Sequence, residues 1–172
     1  MSDKPPAIEQ SFPPLLGQTP DTLILGSMPS VKSLEQQQYY AHPRNAFWPI
    51  MAKLYAFDIT LPYEQRCSLL NQHNIAVWDV LKACRREGSL DQNIDHGTMV
   101  LNDFNTFLKA HPSIKRLFFN GTKAETVFKQ VIPHLDRPLL DLSMQRLPST
   151  SPAHATMTFE QKLAAWYEAL ST

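Results

Sequence analysis

Short apolar runs alternate with longer amphipathic segments along most of the chain. The apolar runs predict strands at residues 22–25, 75–80, 117–119 and 138–142, the last extending toward Leu147. The amphipathic segments predict helices at residues 49–55, 62–72, 99–110, 122–131 and 158–170. Strands separated by helices pair in parallel through right-handed crossovers. The pattern therefore predicts an α/β fold, a three-layer α/β/α sandwich around a short, mainly four-stranded parallel sheet.

Residues 1–20 differ from the rest of the chain because prolines are concentrated there. They contain Pro5, Pro6, Pro13, Pro14 and Pro20. Proline restricts φ and lacks an N–H group, so we expect an extended N-terminal arm over this stretch. Residues 21–172 are enough for a single domain with a sizeable core, and they contain no internal repeat.

Unusual segments lie at the end of each predicted strand. A Gly-Ser-Met-Pro-Ser turn at residues 26–30 follows the first strand, and Asp79 lies at the end of the second. Asn120 and Gly121 follow the third strand, and the small-residue segment 147–153 follows the fourth. Ligands of open parallel sheets bind beyond the carboxyl ends of the strands. Because all these segments fall at that edge, the sequence predicts a binding site there.

A dense group of aromatic and polar residues follows the first turn. It consists of Tyr39, Tyr40, His42, Arg44, Asn45, Phe47 and Trp48. Large rings interleaved with a cation and an amide are typical of a pocket for a flat polar ring. The alternative is a buried aromatic cluster with incidental polar neighbours.

Composition narrows the classes of partner. The formal net charge is +0 at pH 7, so no global field attracts the protein to nucleic acid. DNA contacts would rest on local basic groups at residues 82–86 or 115–116, although solvated surface charge is the simpler interpretation of each. Cys67 and Cys84 have no metal or redox spacing, and the chain shows neither a secretory start nor a membrane-spanning run. We therefore expect a cytoplasmic protein with reduced thiols.

The sequence shows no signature of a metal, a cofactor or a covalent serine. The histidines form no HxxxH pair and have no cysteine partner at ligand spacing, which predicts that no metal is bound. The turn at residues 26–30 matches neither the dinucleotide nor the P-loop fingerprint, and no serine lies in a GxSxG elbow. We expect a reaction that requires no cofactor.

Six segments carry a family resemblance through their order and spacing: LGSMPS, YYAHPRNAFW, AVWDVL, GSLDQNI, FFNGTKA and LPSTSPA. From about Thr22 to its C-terminus, the chain resembles the uracil-DNA glycosylase superfamily, most closely its DNA-deoxyinosine (hypoxanthine-DNA) glycosylase branch. The resemblance implies a four-stranded parallel sheet, a groove for DNA and a pocket for one flipped nucleotide. It implies a monofunctional base excision repair enzyme that hydrolyses the N-glycosidic bond of a deaminated base, above all hypoxanthine, and leaves an abasic site.

The resemblance also implies roles for individual residues. Met28 stands where many relatives carry a water-activating Asp or Asn, and the hypoxanthine branch uses instead the amide of the HPRN segment, Asn45 here. Leu147 stands where the classical uracil enzymes begin their second motif with histidine. The implied base pocket contains Gly26, Ser27, Met28, Pro29, Tyr40, His42, Phe47, Trp48, Asp79 and Asn120. The implied contacts to double-stranded DNA, bound by a monomer, are Ser30, Arg44, Gly121, Ser149, Thr150, Ser151, Pro152 and Ala153.

Several alternatives stay open at this point. Asp79 as a carboxylate would accept the N1–H of hypoxanthine, or it instead caps the turn after the second strand. Phe47 and Trp48 either stack on the purine or belong to the core. The whole protein could also be a mismatch-type uracil or thymine glycosylase, a catalytically silent DNA-binding member of the fold, or a hydrolase of free nucleosides.

Overall fold

The computed structural model describes residues 4–171. Over that range the chain forms the strands β1 (Ile8–Gln10), β2 (Thr22–Gly26), β3 (Ile75–Asp79), β4 (Leu81–Arg86), β5 (Ile94–Leu101), β6 (Arg116–Asn120) and β7 (Ser143–Leu147). The α-helices are α1 (Val31–Gln36), α2 (Phe47–Leu54), α3 (Tyr63–Gln72), α4 (Phe104–Ala110), α5 (Thr122–Phe128) and α6 (Phe159–Leu170). Among the described residues, no helix combines the length and the apolar character needed to cross a membrane.

The central sheet consists of four parallel strands in the order β3-β2-β6-β7. Its register places Gly26 beside Asp79 and Asn120 beside Leu147. The carboxyl ends of these strands therefore lie at one edge of the sheet, together with the segments that follow them. The arrangement confirms the predicted α/β fold with its four-stranded parallel sheet.

Helices cover both faces of the central sheet, which gives the sandwich its three layers. Leu23 and Leu25 of β2 pack on one face with side chains of α4 and α5. Ile24 packs on the opposite face with side chains of α2, α3 and α6. All three β2 side chains are 0% exposed. A strand that is covered on both faces has a continuous apolar sequence, and this explains why β2 is evident from sequence alone.

The fourth strand of the sheet lies later in the chain than the apolar run predicts. Arg137–Asp141 forms a 3-10 helix, and β7 begins at Ser143. Pro138 favours this helix because its fixed φ suits a first turn and it has no N–H to donate to a sheet. Most side chains of β7 are exposed or half-exposed until the buried Leu147, so the strand has no apolar signature. The predicted strand at residues 138–142 is therefore wrong, whereas its suggested extension toward Leu147 is the strand.

A second sheet, which the sequence pattern does not predict, contains β1, β4 and β5 in antiparallel order β1-β4-β5. The predicted helix at residues 99–110 is wrong in its first turn, since Met99 still belongs to β5. Helix α4 begins at Phe104, where the Asp103 carboxylate accepts a hydrogen bond from the main-chain N–H of Thr106. Charged residues such as Lys82 in β4 and Asp95 in β5 interrupt the apolar positions of both strands. The sequence therefore contains no apolar run that would predict either strand.

The remaining predicted helices form with small changes at their ends. Helix α2 begins at Phe47 and α5 ends at Phe128, each within a few residues of the prediction. Helix α6 begins with a capping box, in which Thr158 and Gln161 each accept a hydrogen bond from the other's main chain. The short helix α1 is absent from the sequence-based prediction.

The described part of the N-terminal arm packs along the domain. Strand β1 pairs with β4, and the main-chain N–H of Leu15 donates to the carbonyl of Val77 at 2.8 Å. The indole N–H of Trp78 donates to the carbonyl of Phe12 at 3.1 Å. The arm therefore contributes main-chain hydrogen bonds to both sheets. Its division from a domain at residues 21–172 stays a prediction.

Candidate active site

A cavity of about 480 Å³ opens at the carboxyl edge of the parallel sheet. Its wall is formed by the turn after β2, the aromatic segment, the end of β3, the loop between β4 and β5, and the segments after β6 and β7. The lining residues include Gly26, Ser27, Met28, Pro29, Ser30, Tyr40, Asn45, Asp79, Asn120, Gly121, Ser149, Thr150, Ser151 and Ala153. The structure thus brings together most of the residues predicted for a pocket and for DNA contact.

Close packing around Gly26 forms the floor of this cavity. A Cβ atom on Gly26 would lie 2.6 Å from Oδ1 of Asp79 and 3.0 Å from the hydroxyl oxygen of Tyr40. Glycine is therefore required at this position for the carboxyl and phenol groups to converge above the backbone. The main-chain carbonyl of Asp79 accepts a hydrogen bond from Nδ2 of Asn102 at 2.8 Å, which fixes the end of β3.

The Asp79 carboxyl group is buried at this floor. The residue is only 3% exposed, and its Oδ2 atom is buried without a hydrogen-bond partner among the described residues. Burial, reinforced by the neighbouring Asp91 carboxylate, raises the pKa of Asp79 to about 7, while the Arg86 guanidinium opposes the shift. Loss of hydration disfavours the charged form, so the neutral carboxylic acid is populated near neutral pH.

Asp91 is a second acidic group of the cavity, and the sequence reasoning assigns it no role. Its Oδ1 accepts a hydrogen bond from the Ser27 hydroxyl at 2.6 Å. Its surroundings raise the pKa of Asp91, with loss of hydration as the largest cause, although the Ser27 hydrogen bond, Arg86 and Lys123 oppose the shift. Asp91 lies in the GSLDQNI segment, so the family resemblance marked the segment while only the fold reveals the contact.

Arg86 stabilises the turn after β2 through a hydrogen bond. Its side chain is 0% exposed, and its Nη2 donates hydrogen bonds to the carbonyl of Pro29 and, at 3.1 Å, to the carboxylate of Glu9. Because Glu9 belongs to β1, the guanidinium links the N-terminal arm, β4 and the turn after β2. Arg86 is therefore a buried structural cation, and the basic group at residues 82–86 is not a continuous surface for DNA.

Asn45 lies on the cavity wall just before α2. Its Oδ1 accepts a hydrogen bond from the main-chain N–H of Phe47, the first residue of that helix, at 2.9 Å. This contact fixes the position of the side-chain amide and occupies one acceptor site of its oxygen. The other acceptor site and the two amide hydrogens are available for a ligand.

The aromatic segment divides between the cavity and the core. Phe47 is 0% exposed and Trp48 is 4% exposed, and the indole N–H of Trp48 donates to the carbonyl of Tyr39 at 2.8 Å. The prediction that these two rings stack on a base is therefore corrected, because hydrophobic burial places both in the core. Phe47 instead stacks beneath Tyr40, with ring centroids 4.1 Å apart, and so supports a ring that does line the cavity.

A hydrogen-bonded clamp holds the segment after β7. Oδ1 of Asn120 accepts from the main-chain N–H of Thr150, and its Nδ2 donates to the Thr150 hydroxyl, both at 2.9 Å. The main-chain N–H of Ala46 donates to the Thr150 carbonyl at 2.9 Å, which ties this segment to the start of α2. Thr150 is 1% exposed. Asn120, predicted to contact the base, thus has both ends of its amide engaged in positioning the loop.

Besides Phe47 and Trp48, three predicted residues lie outside the cavity lining: His42, Arg44 and Pro152. Arg44 is exposed, and its main-chain N–H donates to Nδ1 of His42 at 3.1 Å. Other lining residues were not predicted, among them Leu90, Gln92, Thr122, Lys123 and His154. Leu90 and Gln92 lie in the loop between β4 and β5, which the sequence pattern does not reveal, whereas Thr122 and Lys123 begin α5 and His154 follows β7. Over residues 4–171, no group of three or more His, Cys, Asp or Glu side chains is arranged to hold a metal ion.

Comparison with known proteins identifies the family. The model of the Uracil DNA glycosylase superfamily matches residues 13–171. The chain belongs to this superfamily. The protein is therefore a DNA N-glycosylase, a hydrolase of N-glycosyl bonds whose substrate is DNA.

The chain is similar to curated and solved proteins from two Methanosarcina species. A Methanosarcina barkeri protein named hypoxanthine DNA glycosylase is 36% identical over 117 residues, covering 67% of this chain and 73% of the relative. A Methanosarcina acetivorans protein of the same name is 38% identical over 118 residues, covering 68% and 73%. The solution structure of a Methanosarcina acetivorans protein, provisionally titled a uracil DNA glycosylase, matches with a TM-score of 0.77 and 31% identity, covering 96% of this chain and 100% of that chain.

Proposed function

We propose that this glycosylase releases hypoxanthine from deoxyinosine in DNA and leaves an abasic site. The observation that carries the proposal is the placement of Asn45 on the wall of a cavity whose first turn, at Met28, offers no water-activating group. Two relatives that share more than a third of their aligned residues with this chain are named for hypoxanthine, which supports the same base here.

The size and position of the cavity suit a single flipped nucleotide. Its volume of about 480 Å³ falls within the roughly 300–1,000 Å³ common for small-ligand pockets. A base inside a duplex cannot reach such a cavity, so the nucleotide must first leave the stack. Residues 149–151 with Ala153 line one side, and their small side chains allow main-chain N–H groups to approach phosphates.

Bond cleavage in this cavity would depend on electrostatic stabilisation. As the C1′–N9 bond lengthens, the sugar gains positive character and the purine gains negative charge. Asn45 is too weakly basic to remove a proton, but the free acceptor site of its Oδ1 can orient water toward C1′. Hydrogen-bond donors aimed at the departing purine supply the larger share, worth roughly 3–4 kcal/mol for each well-placed group.

An abasic-site cleavage assay separates this proposal from the alternatives. Matched duplexes would contain one deoxyinosine, one deoxyuridine or one mismatched thymine, and free inosine would be tested beside them. We expect strand cleavage after alkali chiefly with deoxyinosine. Preferred cleavage at uracil or thymine would assign a mismatch-type enzyme, binding without cleavage would assign a silent DNA-binding protein, and turnover of free inosine alone would assign a nucleoside hydrolase.

The proposal includes action as a monomer in the cytoplasm. Both cysteines are free thiols, and Cys84 is buried. Burial raises the pKa of Cys84, as expected for a thiol that serves the core rather than redox chemistry. Size-exclusion chromatography with light scattering would test the monomeric state, and a dimer mass would contradict it.

A further inference from the structure

Two polar atoms at the floor of the cavity, Oδ2 of Asp79 and the hydroxyl oxygen of Tyr40, lack a hydrogen-bond partner among the described residues. Oδ2 of Asp79 is buried and accepts no hydrogen bond from any described residue, and the whole residue is only 3% exposed. A buried polar atom left unpaired costs about 1–3 kcal/mol, so native proteins contain few of them. Because this carboxyl group lines the cavity, the missing partner is expected to be the ligand.

The groups that face Asp79 do not suit an ionised carboxylate. Acidic Asp91 approaches from the loop between β4 and β5, and the phenols of Tyr39 and Tyr40 approach from the aromatic segment. The facing cation is Arg86 of β4, whose Nη2 bonds Pro29 and Glu9, while its Nε and Nη1 are buried without a partner among the described residues. None of these groups forms a hydrogen bond to the Asp79 carboxyl group.

We propose that Asp79 meets the flipped base as a neutral carboxylic acid, donating a hydrogen bond to the base carbonyl oxygen and accepting one from the adjacent ring N–H. The inference rests on the proposed function and extends it, because it defines the recognised feature as a lactam edge. Hypoxanthine presents O6 and N1–H side by side, and a carboxylic acid presents the complementary donor and acceptor.

The protonation state also determines how Asp79 affects bond cleavage. Negative charge that develops on the purine spreads to O6, where the acid O–H stabilises it. An ionised Asp79 would place a second negative charge against O6 and oppose departure of the base. Asp79 keeps its proton throughout: the water that bonds to C1′ loses the proton that neutralises the departing purine.

The pH dependence of single-turnover hypoxanthine release tests the inference in the wild type and two variants. The wild-type rate should fall as the pH rises through about 7, the pKa of Asp79. Asp79→Asn presents an amide donor and an acceptor without ionising, so its rate should stay within about threefold of the wild-type rate at mildly acidic pH and lose that alkaline decline. Asp79→Ala should be slower than the wild type by at least about tenfold at mildly acidic pH and should also lack the alkaline decline.

Two further variants sharpen the assignment. Asp91→Asn removes the neighbouring negative charge and should move the decline of the rate to lower pH. Asp58→Asn alters an exposed aspartate outside the cavity and should leave the whole profile unchanged. If Asp79→Asn is as slow as Asp79→Ala, or if the wild-type rate rises through pH 7, the carboxylate is the active form and the inference is wrong.

A direct titration separates this inference from the proposed function. The carbon-13 shift of the Asp79 carboxyl group, assigned by its loss in Asp79→Asn, should titrate near pH 7 in the free protein. A value below about 5 would overturn the neutral acid whatever the activity. If the titration lies near 7 but the wild type releases no hypoxanthine at any pH, the proposed function fails while the protonation state of Asp79 stands.

Discussion

The floor of the cavity and the loop that borders it differ in how their polar groups are bonded. At the floor, Asp79 is buried with an unpartnered carboxyl oxygen, and Asp91 lies close enough to raise its pKa. In the loop after β7, Thr150 is equally buried, but its hydroxyl, main-chain N–H and carbonyl all have partners. Complete bonding is typical of a scaffold, whereas an unpaired buried group is typical of a site that a ligand completes.

Removing the Asn120 clamp should produce the largest loss of stability, because it breaks the fully bonded side. Asn120→Ala leaves the main-chain N–H and the hydroxyl of Thr150 without their partners, which should lower the free energy of unfolding by about 2–4 kcal/mol. Urea denaturation measures this change. Thr150→Ser keeps both bonds and serves as the matched control, and an equal loss in the two variants would show that the clamp contributes little.

Asp79→Asn should have the opposite effect on stability. The pKa of Asp79 is raised in the folded protein to about 7, from an unfolded value near 3.9, so its contribution to stability is complete below 3.9 and is lost as the pH rises through 7. The asparagine side chain does not ionise, so the variant does not lose stability in this way as the pH rises. Its advantage over the wild type should grow by roughly 1.4 kcal/mol per pH unit between these values and then level off. Thermal unfolding of both proteins at several pH values checks this. An advantage of the asparagine variant that shrinks toward neutral pH would contradict the raised pKa of Asp79.

The comparison also shows what the sequence could reveal. The parallel strands β2, β3 and β6 are buried on both faces, so their apolar runs indicate them, and parallel pairing alone brings Gly26, Asp79 and Asn120 to one edge. Bonding between distant segments is not visible in a pattern. Ser27 and Asp91 are 64 positions apart, and their contact depends on the unpredicted β4–β5 sheet. Likewise, the spacing of Phe47 and Trp48 is the same for a core helix and for a stacking platform, and only packing decides between them.

Asn45→Ala probes the boundary between scaffold and site. Loss of the oxygen that orients water should lower the single-turnover rate by at least about tenfold, or 1.4 kcal/mol. Because the same oxygen bonds the first N–H of α2, the variant should also lose about 1 kcal/mol of stability. Asn45→Asp can accept the same hydrogen bond from the main-chain N–H of Phe47 and therefore serves as the control for the loss of stability. A normal rate in the alanine variant would show that another group orients the water.

Ser149 and Ser151 should give the smallest effect, because they lie at the rim. Their hydroxyl oxygens accept hydrogen bonds from the main-chain N–H groups of Ser151 and Ala153, both at 3.2 Å, and aspartate can accept the same bonds. The double variant Ser149→Asp, Ser151→Asp should therefore fold normally but bind inosine-containing duplex severalfold more weakly at low salt, with a smaller difference at high salt. Fluorescence anisotropy measures the affinity, and an unchanged value would remove this loop from the DNA interface.

The most direct measurement of the central claim is chromatographic identification of the base released in a single turnover. Duplexes that differ only in carrying deoxyinosine or deoxyuridine would be incubated with the wild type and with Asn45→Ala. The account predicts free hypoxanthine as the faster product of the wild type, and a rate at least about tenfold lower in the variant. Faster release of uracil than of hypoxanthine by the wild type would contradict it.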